Sequence, residues 1–233
     1  MNQRNEMFEY DSYITGEQPD KLVIFLHGYN GTIATHQYAL DWFKQYVQNA
    51  VIIAPHAPQI SDKNPERRQW FGLRKYDAAN TRSQPQTSVE DIFDIYNRAA
   101  PEIDSCAAQI NNFIDAIQQK YGIDDAHTFL CGFSQGAMLT IYTALSRATV
   151  LGGAFALSGL AAGADLLQTK IKAHPPLYLF HGEDDLRVQY KTLPTTLAWL
   201  KKNNIPANVQ TYAGLDHRMK EEEIRLIADI ING

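Results

Sequence analysis

Cysteine is scarce. Cys106 and Cys131 are the only two in 233 residues, too few for a disulfide framework. Cys131 lies in an apolar run and reads as a small core residue. Membrane-length apolar runs are lacking too. The uncharged stretch from Val150 to Ala164 is rich in Gly and Ala and falls short of the ~20 residues that a membrane helix needs. Basic charge is not in excess, with 21 Lys and Arg against 26 Asp and Glu and a net charge of −5. That balance excludes a nucleic-acid-binding surface, and the pair Arg67-Arg68 alone does not restore one. Residues Met1 to Glu6 carry no apolar stretch behind their positive charge, so a secretory signal is not expected. These absences together suggest a reducing, cytoplasmic setting. Metal and cofactor signatures are also missing: there is no H-E-x-x-H, no paired Cys set, no Walker loop and no dinucleotide fingerprint. Neither a metal nor a cofactor is therefore expected.

What is present is the composition of an ordinary globular chain, 45% hydrophobic and 20% charged, long enough to bury a core without staples. Short apolar runs recur at residues 22–26, 51–54, 128–131, 154–157, 177–180 and 209–212. Most are apolar on both faces, as a parallel strand covered by helices on each side must be. Helical stripes alternate with them: Tyr38 to Tyr46, Ile103 to Ile117, Ala137 to Leu145, Leu193 to Leu200 and Ile224 to Ile231. Pro101 suits a first helical turn, and Pro194 should start or kink its helix. Alternating strand and helix predicts an α/β fold with a mainly parallel central sheet and helices on both faces. No repeat or linker divides it, so one domain over 1–233 is expected.

Residues 72–101 interrupt the alternation with a long polar segment. Within it, Ser88 can cap a short helix, Asp91 sits at the acid position of a capping box, and Val89, Ile92, Phe93 and Tyr96 form an apolar stripe. Segments of this length are often lids or binding loops. A lid and a packing helix are both open at this stage.

The strongest chemical signal is Gly132-Phe133-Ser134-Gln135-Gly136, which follows a strand and precedes a helix. That context makes Ser134 the nucleophile of a G-x-S-x-G elbow. A serine hydroxyl needs a base to take its proton. Three histidines follow Ser134. His174 precedes Pro175-Pro176, and His181 with Gly182 ends a strand. His217 lies in a loop between the last strand and last helix and is the expected base, with His181 as the alternative. The orienting acid should leave the segment Glu183-Asp184-Asp185 at a strand end, although spacing does not separate Asp184 from Asp185. Two backbone N–H groups should form the oxyanion hole: that of Gln135, and that of Tyr29 in Leu26-His27-Gly28-Tyr29-Asn30-Gly31.

Taken with Pro55-His56-Ala57-Pro58, Trp70-Phe71, Leu157-Ser158-Gly159 and Gly214-Leu215-Asp216-His217, these pieces give the chain from Lys21 onward a likeness. It resembles the carboxylesterase/phospholipase family of α/β-hydrolases, which includes acyl-protein thioesterases and lysophospholipases. The resemblance implies an α/β-hydrolase fold, Asp185 as triad acid through the pattern H-G-x-x-D, and Tyr29 and Gln135 as oxyanion donors. It also implies that Trp70 and Phe71 face the acyl pocket. The chain departs from many members in having Tyr29-Asn30 after the His-Gly pair and Leu186-Arg187-Val188-Gln189 after the acid. The implied substrate is a small-molecule ester or acyl thioester, an acylated protein or a lysophospholipid. The oligomeric state is left open, a homodimer included. Three rival readings fit less well. A dienelactone-hydrolase-like enzyme would carry Cys at the elbow, where this chain has Ser134. A serine peptidase would need additional chain to hold its peptide. A non-catalytic binding module would lack a triad member, and none is missing.

Overall fold

The computed structural model describes the main chain of residues 2–4 and the whole of residues 8–233. An eight-stranded sheet runs through it, with a short ribbon beside the site. The strands are β1 (Asn2–Arg4), β2 (Glu9–Thr15), β3 (Lys21–Leu26), β4 (Ala50–Pro55), the ribbon pair β5 (Gln59–Ile60) and β6 (Arg68–Gln69), β7 (Thr128–Phe133), β8 (Gly153–Leu157), β9 (Leu177–Gly182) and β10 (Ala207–Tyr212). The sheet order is β1-β2-β4-β3-β7-β8-β9-β10. From β4 to β10 every neighbouring pair is parallel. β1 pairs antiparallel with β2, and β2 antiparallel with β4.

The helices are α1 (Gln37–Tyr46), α2 (Val89–Arg98), α3 (Ala100–Tyr121), α4 (Gln135–Ser146), α5 (Ala164–Leu167), α6 (Leu193–Lys202) and α7 (Glu221–Asn232). They cover both faces of the sheet. Leu22, Ile24, Leu26 and Leu130 point into a core built with α2 to α6. Val23, Phe25, Cys131 and Phe133 point the other way, onto α1 and α7. Strand geometry sends successive side chains to opposite faces, so a strand buried on both must be apolar throughout. This is why the runs were legible.

The expected strands and helices all form, and the structure adds β1, β2, the β5–β6 ribbon and α5. β2 has no legible pattern in the sequence because it lies near the antiparallel end and buries only Tyr10 of its seven residues. Pro101 and Pro194 both fall in the first turn of their helices. Cys106 and Cys131 are buried free thiols. Among the described residues no helix is long and apolar enough to cross a membrane.

In the polar segment, Ser88 caps α2 by accepting the Asp91 N–H at 3.0 Å. Ile92, Phe93, Ile95 and Tyr96 are buried in the core, so α2 packs as part of the fold. The preceding residues are tied to the loop after β9: Gln189 Nε2 donates to the carbonyls of Arg82 and Gln84, and Lys191 Nζ to those of Pro85 and Thr87.

Candidate active site

The elbow is built by close approach of backbone. A Cβ on Gly136 would lie 2.1 Å from the Leu26 carbonyl oxygen, and one on Gly132 would lie 2.4 Å from the Gly136 carbonyl group. Both positions must lack side chains, because a clash with backbone cannot be relieved by a rotamer change. Ser134 between them has φ +57° and ψ −115°, a region that costs a residue with a side chain about 1–3 kcal/mol. The strain is held by the Ser134 N–H bond to the Leu157 carbonyl at 2.9 Å and by the start of α4 at Gln135. The result lifts the serine hydroxyl off the end of β7, in front of the helix.

Ser134 Oγ donates to His217 Nε2 over 3.0 Å. His217 Nδ1 donates to Asp185 Oδ2 over 2.7 Å. The three residues come from the ends of β7, β9 and β10, brought together because parallel strands end on one edge of the sheet. The structure separates the two acids. Asp185 is buried and Asp184 is exposed, with the backbone N–H of Asp184 on the Leu215 carbonyl. Asp185 Oδ1 accepts the N–H groups of Arg187 and Val188 at 2.8 and 3.0 Å. Burial alone would raise its pKa, but the His181 and His217 rings outweigh that and hold it down at about 2. His181 thus has a role at the acid. Its Nε2 donates to the Val188 carbonyl at 2.8 Å and stands 3.5 Å from Asp185 Oδ2. His174 is exposed and precedes β9, at the opposite end of that strand from Asp185. Asp216 pairs with the exposed Arg218.

The Tyr29 and Gln135 N–H groups carry no intramolecular hydrogen bond among the described residues. Gln135 opens α4, whose first N–H groups have no partner within the helix and whose dipole favours negative charge there. The Gln135 side chain faces inward. Its Oε1 accepts the Trp70 N–H at 2.9 Å, and its Nε2 donates to the Phe71 carbonyl at 2.8 Å.

Trp70 and Phe71 do not face the pocket. Both are fully buried and absent from the cleft lining. Trp70 Nε1 donates to the His27 carbonyl at 2.7 Å, so the pair braces the loop from behind. The indole N–H, once buried, had to find an acceptor, and that acceptor lies under the site. His27 is equally structural: burial pushes its pKa down to about 3. As a neutral ring it donates from Nδ1 to the Gly28 carbonyl and accepts the Ala57 N–H at Nε2.

A cleft of about 780 Å³ opens at Ser134 and His217, within the size range of small-molecule sites. Its walls include the apolar Leu73, Tyr96, Phe133, Met138, Leu186 and Val188, and the polar Tyr29, Asp62, Asp77 and Arg82. Asp77 and Arg82 form a buried ion pair at 2.7 Å. None of Asp62, Asp77 and Arg82 was foreseen as a site residue. They lie in polar stretches whose spacing carries no pattern, and only the chain's path brings them to Ser134. Among the described residues no group of His, Cys, Asp and Glu could hold a metal ion.

The sheet order, the strained elbow and the strand-end loops define an α/β-hydrolase fold. The sequence matches the phospholipase/carboxylesterase family model over residues 13–233, and the chain belongs to that family. It is 31% identical to acyl-protein thioesterase 1 homolog 1 of Dictyostelium discoideum over 133 residues, 56% of this chain and 59% of that one. The matched stretch therefore spans less than two thirds of that relative. It is 24% identical to carboxylesterase SOBER1 of Arabidopsis thaliana over 216 residues, 88% of this chain and 86% of the relative. In structure it is similar to esterase PE8, with a TM-score of 0.75 at 24% identity, covering 95% of this chain and 96% of that one. That likeness concerns the fold alone.

Proposed function

We propose that the protein is a serine hydrolase that cleaves carboxylic esters or acyl thioesters through an acyl-enzyme on Ser134. The observation that carries the reading is the hydrogen-bonded line from Ser134 Oγ to His217 Nε2 and from His217 Nδ1 to Asp185. Ser134 Oγ attacks the substrate carbonyl carbon while its proton passes to His217 Nε2. The carbonyl π pair moves onto oxygen, which the N–H groups of Tyr29 and Gln135 stabilise. The tetrahedral intermediate collapses, the bond to the leaving oxygen or sulfur breaks, and His217 returns the proton to the leaving group. Water then attacks the acyl-enzyme with His217 again as base. The carboxylic acid departs and Ser134 regains its proton. Asp185 keeps its charge throughout, holding the ring and stabilising the imidazolium.

The family membership and relatives named as carboxylesterase and acyl-protein thioesterase support the same reaction class. The apolar side of the cleft, with Met138, Leu73 and Tyr96, suits an acyl chain. Thioesters of acylated proteins and lysophospholipids are the longer-chain substrates of this reading. The test is kcat/KM for p-nitrophenyl esters of increasing acyl length, with Ser134→Ala as control. A length optimum that vanishes in the variant supports the proposal, its position choosing between short and long acyl groups. Wild-type turnover by Ser134→Ala would overturn it, and no hydrolysis at any length would favour a binding module.

A further inference from the structure

The loop carrying Tyr29 lies between Gly28 and Gly31, residues with little intrinsic reason to hold one conformation. Its backbone N–H must nevertheless stand at a fixed place to stabilise an oxyanion, because a misplacement of about 1 Å can cost a hundredfold in rate. What holds it is a set of contacts with the segment from β5 to β6. The Tyr29 hydroxyl donates to Asp62 Oδ1. Asn30, in the left-handed region at φ +54°, accepts from Ser61 Oγ at 3.0 Å. Gly31 bridges Arg68 through two backbone bonds, at 3.3 and 3.0 Å.

Asp62 is the centre of this set. Its second carboxylate oxygen accepts the Arg74 N–H at 3.0 Å, and its own N–H donates to Gln69 Oε1 at 3.0 Å. Its carbonyl accepts from Arg74 Nη1 at 3.2 Å. A half-buried carboxylate is thus spent on a phenol and a backbone amide, and among the described residues no side-chain cation bonds its carboxylate oxygens. Over the face of the ring, the Arg82 guanidinium stands 5.9 Å from the Tyr29 centroid. Burial first, and Asp62 next, push the phenol pKa up to about 12, so the hydroxyl remains a donor across ordinary pH.

We propose that Asp62 is a positioning residue: through the Tyr29 hydroxyl it fixes the loop whose backbone N–H serves as an oxyanion donor. The proposal rests on the serine-hydrolase reading above. It gives the departure at Tyr29-Asn30 a purpose, since a leucine-glycine pair at these positions could make neither side-chain bond.

The experiment compares Tyr29→Phe, Asp62→Ala, Asp62→Asn and the double variant Tyr29→Phe/Asp62→Ala, using the p-nitrophenyl ester the wild type hydrolyses best. A trifluoromethyl ketone of matching acyl length is the second probe, because its adduct with Ser134 puts an oxyanion in the hole. Tyr29→Phe and Asp62→Ala should each lower kcat about tenfold, less than the loss of a whole donor, with KM within about twofold. The ketone Ki should rise by the same factor. Asp62→Asn keeps an acceptor for the phenol and should recover most of the rate. The double variant should be no slower than the slower single one, because both break one bond. Melting curves check folding, and Tyr29→Phe, which keeps the ring, covers the case in which Asp62→Ala fails to fold. Losses that multiply to about a hundredfold, or a raised KM at unchanged kcat, would overturn the positioning role, the latter marking Tyr29 as a substrate contact. If Ser134→Ala abolishes turnover while Tyr29→Phe and Asp62→Ala leave kcat intact, only this proposal falls. If Ser134→Ala remains active, the hydrolase reading falls and takes this one with it.

Discussion

Asp185→Asn isolates what the acid contributes. The asparagine carbonyl can still accept the Arg187 and Val188 N–H groups that Asp185 Oδ1 accepts at 2.8 and 3.0 Å, so the loop should keep its shape. The amide NH₂ then faces His217 Nδ1 in place of Oδ2 at 2.7 Å. Two donors cannot face each other, so the ring shifts its proton to Nε2 and presents N–H to Ser134. The base is lost with the geometry intact. A wrong tautomer of this kind costs about 10⁴ in rate, or ~5.5 kcal/mol at ~1.4 kcal/mol per tenfold. The assay is kcat/KM on the preferred p-nitrophenyl ester. Asp184→Asn, exposed and not bonded to His217, is the control and should stay within about twofold, as surface changes do. A loss below about tenfold for Asp185→Asn, or a larger loss for Asp184→Asn, would refute the reasoning. The same variant has a stability signature. The folded pKa of Asp185 is depressed from 3.8 to about 2, so its contribution is present above 3.8 and is lost as pH falls from there toward 2. The shift corresponds to about 2 kcal/mol. Acid unfolding curves of wild type and Asp185→Asn should therefore differ in slope across that window.

Three further outcomes follow from the geometry. Ser134→Gly should be about 1 kcal/mol more stable than Ser134→Ala in urea denaturation, because glycine tolerates φ +57° and alanine does not; equal midpoints would mean the elbow is not strained. Glu223 is buried with its side chain on the Lys220 N–H at 2.7 Å, and burial raises its pKa to about 7. A raised folded pKa means that stability falls as pH rises from about 4.5 to 7, so Glu223→Gln should raise the melting temperature more at pH 7.5 than at pH 5, and a pH-independent effect would contradict this. Ile92→Ala, removing a side chain 1% exposed, should cost about 2–5 kcal/mol; a loss under about 1 kcal/mol would favour the lid over the packing helix.

The parallel strands and the serine elbow were readable because each is constrained by its neighbours along the chain. Apart from Lys21 at the start of β3, the residues of β3, β4, β7 and β8 are buried on both faces, so they must be small or apolar. Gly132 and Gly136 are fixed by contacts inside the turn and with β3. β2 was not readable, because a strand that buries one side chain in seven leaves no alternation to find. Trp70 and Phe71 misled for a related reason. An aromatic pair near a site has the same sequence signal whether it faces the ligand or the core, and the direction is set by the path of the β6 ribbon.

By itself, the sequence determined the fold class, the place of the Gly132–Gly136 elbow and the order of the segments that carry Asp185 and His217, since these depend on local periodicity and turn chemistry. Residue spacing left Asp184 and Asp185 open; the tertiary structure puts Asp185 against His217 and brings Asp62 to Tyr29 from 33 residues away. Neighbouring residues on a strand-end turn point in different directions, and which one meets a distant ring depends on how separate strands end together.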